Sequence, residues 1–283
     1  MPGVFYFCSM QLSNPIGIFD SGYGGLTVLK EITAKLPQYD YLYLGDNARA
    51  PYGSRSFETV YRYTLESVQW FFKSNCSLVI LACNTASAKA LRSIQQNDLP
   101  EIAPDKRVLG VIRPTTEIIG NFTKTNNIGI LATSGTVQSA SYLVEINKFF
   151  PHVQVFQQAC PMWVPLIENN EHHSNGADYF VKEYLDSLMN KNKAIDTLLL
   201  ACTHYPLLKD KIARNLNPGV SIISQGEIVA NSLADYLKRH PEMEQKCSKN
   251  GRIDFYTTDS TEDFDNHAAI FYGKPVQSNH TEL

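Results

Sequence analysis

The chain has 283 residues, 43% of them hydrophobic and 19% charged, and 25 Lys and Arg against 28 Asp and Glu give a net charge of -3. This length predicts two domains, or one large one with a sizeable core, and the composition is globular and neither disordered nor fibrous. There is no Lys/Arg cluster of the kind a phosphate backbone requires, so nucleic acid is not expected as a main partner.

The first stretch, MPGVFYFCSMQLSNP, carries a brief apolar patch with no preceding Lys or Arg, too short for the core of a signal peptide. It reads as a leader before the first strand. No apolar run approaches the ~20 residues needed to cross a bilayer, so a soluble, cytoplasmic protein without a membrane partner is expected. The six cysteines, Cys8, Cys76, Cys83, Cys160, Cys202 and Cys247, are scattered and form no CxxC pair. That spacing predicts reduced thiols and supports no structural zinc.

From Ile16 onward, short apolar runs alternate with amphipathic helical segments. The runs are IGIFD from Ile16, YLYLGD from Tyr41, LVILAC from Leu78, RVLGVI from Arg107, IGILAT from Ile128, VQVFQQ from Val153, TLLLAC from Thr197 and VSIIS from Val220. The alternation predicts βαβ units around a mostly parallel sheet. Between the runs, Leu26, Leu29, Ile32 and Leu36 fall on one helical face, as do Phe57, Val60, Tyr61, Leu65 and Val68. A last helix, GEIVANSLADYLKRH, and a further strand, RIDFYTT, close the pattern.

The chain also echoes itself. IGIFDSGYGGLTVLKEI begins at Ile16 and IGILATSGTVQSASYLVEI at Ile128; LVILACNTASA and TLLLACTHYPL follow them at 67 and 74 positions, counted to Cys83 and Cys202. Two pseudo-symmetric α/β domains with open, doubly wound parallel sheets are therefore expected. The turns near Pro114 and Gly226 offer the crossings, which gives residues 1–112 plus 225–283 as one domain and residues 113–224 as an insertion.

In open α/β sheets the ligand lies beyond the carboxyl ends of the strands. Asp20 and Ser21, the stretch from Asp46 to Gly53, Cys83 to Thr85, Thr133 to Thr136, and Cys202 to His204 all fall at such ends. A cleft between the halves would then have one cysteine on each wall. A thiol near its ordinary pKa of about 8.5 needs only modest lowering to act as a base, and a helix N-terminus favours thiolate. One thiolate and one thiol on opposite faces of a carbon can take and return a proton with inversion, while Asn, Thr and Ser donors hold a carboxylate and stabilise enolate-like charge.

The segments GIFDSGYGGLTVLKEI, YLGDNARAPYGSRS, LVILACNTASA, IGILATSGT, ACPMWVPLIE and LLLACTHYPLL resemble, in order, the blocks of the glutamate racemase family, from about Ile16 to the last strand. The resemblance implies an isomerase that interconverts L- and D-glutamate without a cofactor and supplies D-glutamate to peptidoglycan. It implies that Cys83 serves the D-enantiomer and Cys202 the L-enantiomer, with Asp20 assisting the first and His204 and Glu168 the second. It places Asn84, Thr85 and Thr203 on the substrate's α-carboxylate and Asp20 and Ser21 on its ammonium. Pro51, Tyr52 and Gly53, in PYG, fall where the backbone caps the side-chain carboxylate, with Thr133 and Thr136 in support. Related aspartate racemases tend to carry Glu where His204 stands, which favours glutamate, and homodimers are common in the family.

The remaining candidates have plainer readings. Cys8, Cys76, Cys160 and Cys247 lack the paired context and read as packing residues. Asp20 could also cap the helix that begins near Gly25. His172 and His173 are adjacent on a loop with no third ligand evident, so no metal is assigned. GYGG at Gly22 to Gly25 is not a dinucleotide fingerprint, and its glycines are read as permitting a tight turn beneath the substrate. Trp70 and Trp163 are expected to pack, with Trp163, between Pro161 and Pro165, over the cleft. The competing functions are a sister racemase acting on aspartate or a hydantoin, a one-cysteine decarboxylase, a two-lobed amino-acid sensor, and a thiol redox protein. Only a racemase uses both cysteines together with their flanking donors.

Overall fold

The computed structural model describes residues 13–283, so the leader and Cys8 lie outside the described residues. The first sheet holds strands β1 (Ile16–Asp20), β2 (Tyr41–Gly45), β3 (Leu78–Leu81) and β4 (Arg107–Gly110), together with β9 (Ile253–Thr257) and β10 (Ser278–His280), in the order β10-β9-β2-β1-β3-β4. The second holds β5 (Asn127–Ala132), β6 (Gln154–Ala159), β7 (Thr197–Ala201) and β8 (Ser221–Ile223), in the order β6-β5-β7-β8. Every pairing in both is parallel. The order 2-1-3-4 in one sheet recurs as 6-5-7-8 in the other, so the internal echo of the sequence is an echo of topology.

The central strands are apolar because helices cover both faces of a parallel sheet. All residues of β1, β2, β3 and β7 are buried. Helices begin where short polar side chains satisfy free N–H groups. Ser56 Oγ accepts from Thr59 N at 3.2 Å, and Ser174 Oγ accepts from Ala177 N at 3.2 Å. One apolar cluster runs from Ile18, Leu29 and Tyr43 in the first lobe to Leu198, Leu200 and Tyr205 in the second, so the two lobes share a core. Among the described residues, no helix is long and apolar enough to cross a membrane.

Several expectations change. Phe57, assigned to the buried face of its helix (Phe57–Lys73), is 55% exposed, because the face turns inward only from Val60. The sequence gives no sign of β10, whose residues SNH are polar and pair at the sheet edge with β9. Trp163 does not cover the cleft: it is fully buried, edge-on to Tyr205 at 4.7 Å between ring centroids, and its Nε1 donates to Phe180 O at 3.3 Å. Cys247 keeps its reading as a packing residue: it lies just past the short helix Pro241–Glu244, buried in the core beside Met243.

Ile18 lies at the centre of β1 with no exposed surface. Ile18→Ala is expected to cost about 2–5 kcal/mol, read as a lower midpoint in urea unfolding; a loss under about 1 kcal/mol would mean that the site refills.

Candidate active site

At each sheet the strand order reverses between the first and third strands of the repeat, and a ligand crevice opens at such a point. In the first lobe the reversal sets Asp20, the last residue of β1, beside Cys83, just past β3. In the second it sets Thr133, just past β5, beside Cys202, just past β7. The two crevices meet in one cavity of about 160 Å3. That is well below the ~300–1,000 Å3 that receives drug-sized ligands and suits a molecule of amino-acid size.

Cys83 and Cys202 both line this cavity. So do Ser21, Pro51, Tyr52, Gly53, Asn84, Thr85, Thr133, Glu168, Thr203 and His204. Of the residues singled out in the sequence, Asp20 and Thr136 stand behind the wall. The walls also include Ala50, Ser54, Ser134, Cys160, Pro161, Val164 and Pro165. Cys160 had been read as packing only; it is buried at the end of β6, where a thiol can both pack and border a ligand.

Cys83 caps the helix Asn84–Lys89, its Sγ accepting from Ala86 N at 3.4 Å, and Ser21 Oγ lies 3.5 Å away. The sequence predicts a thiol lowered toward neutrality there. The structure shows the reverse: burial, reinforced by the charge of Asp20, pushes Cys83 up to about 12 against the pull of the Ala86 N–H and Ser21. Desolvation outweighs one weak N–H bond and a short helix. The free protein therefore carries a Cys83 thiol.

Asp20 is itself pushed up to about 6, mainly by burial, against the opposing charge of His204 and the N–H groups of Gly22 and Gly25. Its Oδ2 accepts from Gly22 N at 3.0 Å and its Oδ1 from Thr203 Oγ1 at 3.4 Å, so it ties the first lobe to the second. On the opposite wall, Cys202 Sγ lies 3.9 Å from His204 Nδ1, and His204 Nε2 lies 2.9 Å from Glu168 Oε1. Burial opposes charge on His204, but the bonds to Cys202 and Glu168 and their negative charge raise it to about 10. Cys202, His204 and Glu168 thus form a chain along which a proton can move.

The hydroxyls of Thr85, Thr133 and Thr136 form a cluster, 2.9 Å between Thr85 and Thr133, 3.1 Å between Thr133 and Thr136, and 3.4 Å between Thr85 and Thr136. Because Thr136 closes it from behind, Thr85 and Thr133 are aimed and partly satisfied. The loop that carries Pro51, Tyr52 and Gly53 is anchored through Asp46, which accepts from Tyr52 Oη, from Arg49 Nε at 2.7 Å and from Thr258 Oγ1 at 2.9 Å. Gly53 O in turn accepts from Gly135 N at 2.8 Å, which pins the loop to the second lobe.

None of the glycines of GYGG has a positive φ, and Gly24 and Gly25 serve close approach. A Cβ on Gly24 would lie 2.3 Å from both His204 Nδ1 and Thr203 Oγ1. His172 and His173 touch ring to ring at 4.1 Å, away from the cavity. Among the described residues no group of three or more His, Cys, Asp or Glu stands where it could hold a metal.

This is a two-lobed α/β protein with a thiol on each wall of one amino-acid-sized cavity. Its sequence matches the family described as Asp/Glu/Hydantoin racemase over residues 24–233. It is 40% identical to a glutamate racemase from Geobacter metallireducens over 245 residues, 86% of this chain and 87% of that protein. Its structure superposes on a glutamate racemase isoform of Bacillus anthracis with a TM-score of 0.86 at 34% identity, covering 95% of this chain and 98% of the other. A glutamate racemase from Francisella tularensis, solved in complex with D-glutamate, gives 0.84 at 32% identity, covering 96% and 97%. The chain belongs to the aspartate, glutamate and hydantoin racemase family.

Gly24→Ala is expected to displace His204 and Thr203 and to lower racemase turnover by about 100-fold, the scale of an ångström-level misplacement, with an unchanged far-UV circular dichroism spectrum. Wild-type turnover would mean that the two lobes part freely at this point.

His204 also carries a pH dependence. Between its ordinary value of 6.5 and about 10 the folded protein keeps a proton that the unfolded chain has lost. Stability from this group is complete below 6.5 and is lost as pH rises toward 10. His204→Gln should flatten that part of the dependence of melting temperature on pH.

Proposed function

We propose that this chain interconverts L- and D-glutamate by moving the α-proton between Cys83 and Cys202. The observation that carries the reading is the placement of the two thiols at equivalent points of two equivalent sheets, both opening into one small cavity. Two bases on opposite faces of one carbon are what inversion requires. The thiols take and return the proton themselves, so the reaction needs neither an organic cofactor nor a metal.

In the L-to-D direction Cys202 removes the α-proton, and the His204–Glu168 pair balances its charge. Cys83, a thiol in the free protein, then delivers a proton to the other face. In the D-to-L direction Cys83 must first be a thiolate: its proton passes to the Asp20 carboxylate behind it, and the substrate's ammonium, at Ser21 in front of Asp20, supplies the positive charge that offsets burial. Asn84, Thr85 and Thr203 hold the α-carboxylate, where charge grows as the carbon is deprotonated. The Pro51–Tyr52–Gly53 backbone, with Thr133 held from behind by Thr136, caps the side-chain carboxylate.

This reading assigns residues 13–112 plus 225–283 to one wall and residues 113–224 to the other, in a cytoplasmic enzyme that works as a homodimer and supplies D-glutamate for peptidoglycan.

In deuterated water the protein should exchange the α-proton of both glutamate enantiomers and interconvert them without added pyridoxal phosphate, flavin or metal. Either Cys83→Ala or Cys202→Ala should abolish racemisation. Racemisation persisting in Cys202→Ala would rule out the two-thiol mechanism, and turnover of aspartate in place of glutamate would redirect the substrate.

A further inference from the structure

Asn84 lines the cavity, yet most of its amide is already engaged behind the wall. Its Nδ2 donates to Gln225 Oε1 at 2.7 Å, and its Oδ1 accepts from Tyr142 Oη at 2.6 Å. Gln225 Nε2 faces Tyr142 Oη at 2.8 Å, Thr115 Oγ1 at 2.9 Å and Val111 O at 3.2 Å. All five residues are buried.

The direction of every bond in this ring follows from one backbone carbonyl. Val111 O can only accept. Thr115 Oγ1 donates to that same carbonyl at 3.0 Å, so its hydrogen is committed and it presents only a lone pair to Gln225. The end of the Gln225 amide that faces these two acceptors must therefore be the NH2, and the end that faces Asn84 must be the oxygen. Asn84 then has to turn its NH2 toward Gln225 and its oxygen toward Tyr142. Tyr142 gives its single proton to Asn84 and accepts one Gln225 N–H, and the second Gln225 N–H is shared between Thr115 Oγ1 and Val111 O, which closes the ring. A flipped Asn84 would set oxygen against oxygen at Gln225, in a place that water cannot reach.

The consequence reaches the cavity. With Oδ1 engaged by Tyr142 and one N–H engaged by Gln225, the group left to Asn84 is its second N–H. We infer that Gln225 is a positioning residue, which fixes the Asn84 amide so that it meets the substrate only as a hydrogen-bond donor. A donor fits a carboxylate, whereas an amide free to flip would present its oxygen to that carboxylate part of the time.

Gln225 is well placed for the task. It follows β8, where the chain returns from the second sheet to the first, and Val111 and Thr115 follow β4, where the chain leaves it. One amide thus joins both crossings to a residue of the cavity wall. The inference rests on the reading that Asn84 holds the substrate's α-carboxylate, and the experiment separates the two.

The test is a double-mutant cycle on the full chain, with KM and kcat for D-glutamate as the readouts: Asn84→Ala, Gln225→Met and both together. Gln225→Met alone should raise KM about tenfold, the scale of one hydrogen bond lost to a charged group, with kcat changed less than about twofold, as for binding shared by ground and transition states. In the Asn84→Ala background the same substitution should change KM less than about twofold, because Asn84 is the only route by which it acts. A Gln225→Met effect that multiplies in full in both backgrounds would make the residue a structural tie between the crossings and overturn the inference. An unchanged KM in Gln225→Met would overturn it too, and an unchanged KM in Asn84→Ala would remove the reading of Asn84 beneath it. Should Gln225→Met not fold, as judged by its melting curve, Tyr142→Phe replaces it in the same cycle. That variant takes away the donor that holds Asn84 Oδ1, and it should follow the same pattern.

Discussion

Burial of the ionisable side chains that meet between two sets of strand ends is the constraint on which the rest of the site depends. Cys83 and Cys202 are each only 6% exposed, and Asp20 behind them is buried outright. In such a place a charge is costly unless something opposite lies next to it. Cys83 has the Asp20 carboxylate for a neighbour and keeps its proton. Cys202 has an imidazole that Glu168 holds in its charged form. Two cysteines at equivalent positions of a repeated fold are thus given unlike neighbours, a carboxylate beside one and an imidazole beside the other.

The tightness of the lobe interface serves the same end. Gly24 lets the first lobe approach His204 and Thr203, Thr27 Oγ1 donates to Thr203 O at 2.9 Å, and Gly53 O receives the Gly135 N–H. These ties fall on residues that border the cavity or on their immediate neighbours. Holding the lobes together and burying the site are one task, because a gap at any of these points would open the buried thiols to solvent.

Much of this was legible in the sequence, for a definite reason. Parallel strands buried on both faces read as unbroken apolar runs, so β1 to β9 could be placed, and the residues that follow such runs lie at the ligand edge of the sheet. Doubling that pattern puts Cys83 and Cys202 at equivalent strand ends, and both line the one cavity. What sequence could not carry was depth. The helix start that favours a Cys83 thiolate is a local feature, but the desolvation that defeats it is a property of the folded whole. Glu168 came forward only through resemblance to a family, because nothing in WVPLIE says that its carboxylate will meet a histidine 36 positions later. Cys160, Tyr142 and Gln225 stayed hidden for the same reason: each looks like ordinary packing or an ordinary turn until a distant partner is known.

The repeat also explains why the polar residues of the site are distributed as they are. Racemisation passes through a species that is nearly symmetric about the reacting carbon, and a duplicated lobe offers matching positions on its two sides. The ligand, however, is not symmetric: an α-carboxylate, an ammonium and a longer carboxylated arm must each be told apart while the proton changes face. Donors that hold one end must not exchange roles with acceptors that hold another. Side-chain amides are the weak point of such a scheme, because their two ends are alike in shape and opposite in polarity. A backbone carbonyl such as that of Val111 cannot reverse, and anchoring the chain of bonds there passes its fixed polarity outward to the wall. The pseudo-symmetric fold supplies the two faces, and the buried asymmetric ring supplies the sense of direction that the fold by itself lacks.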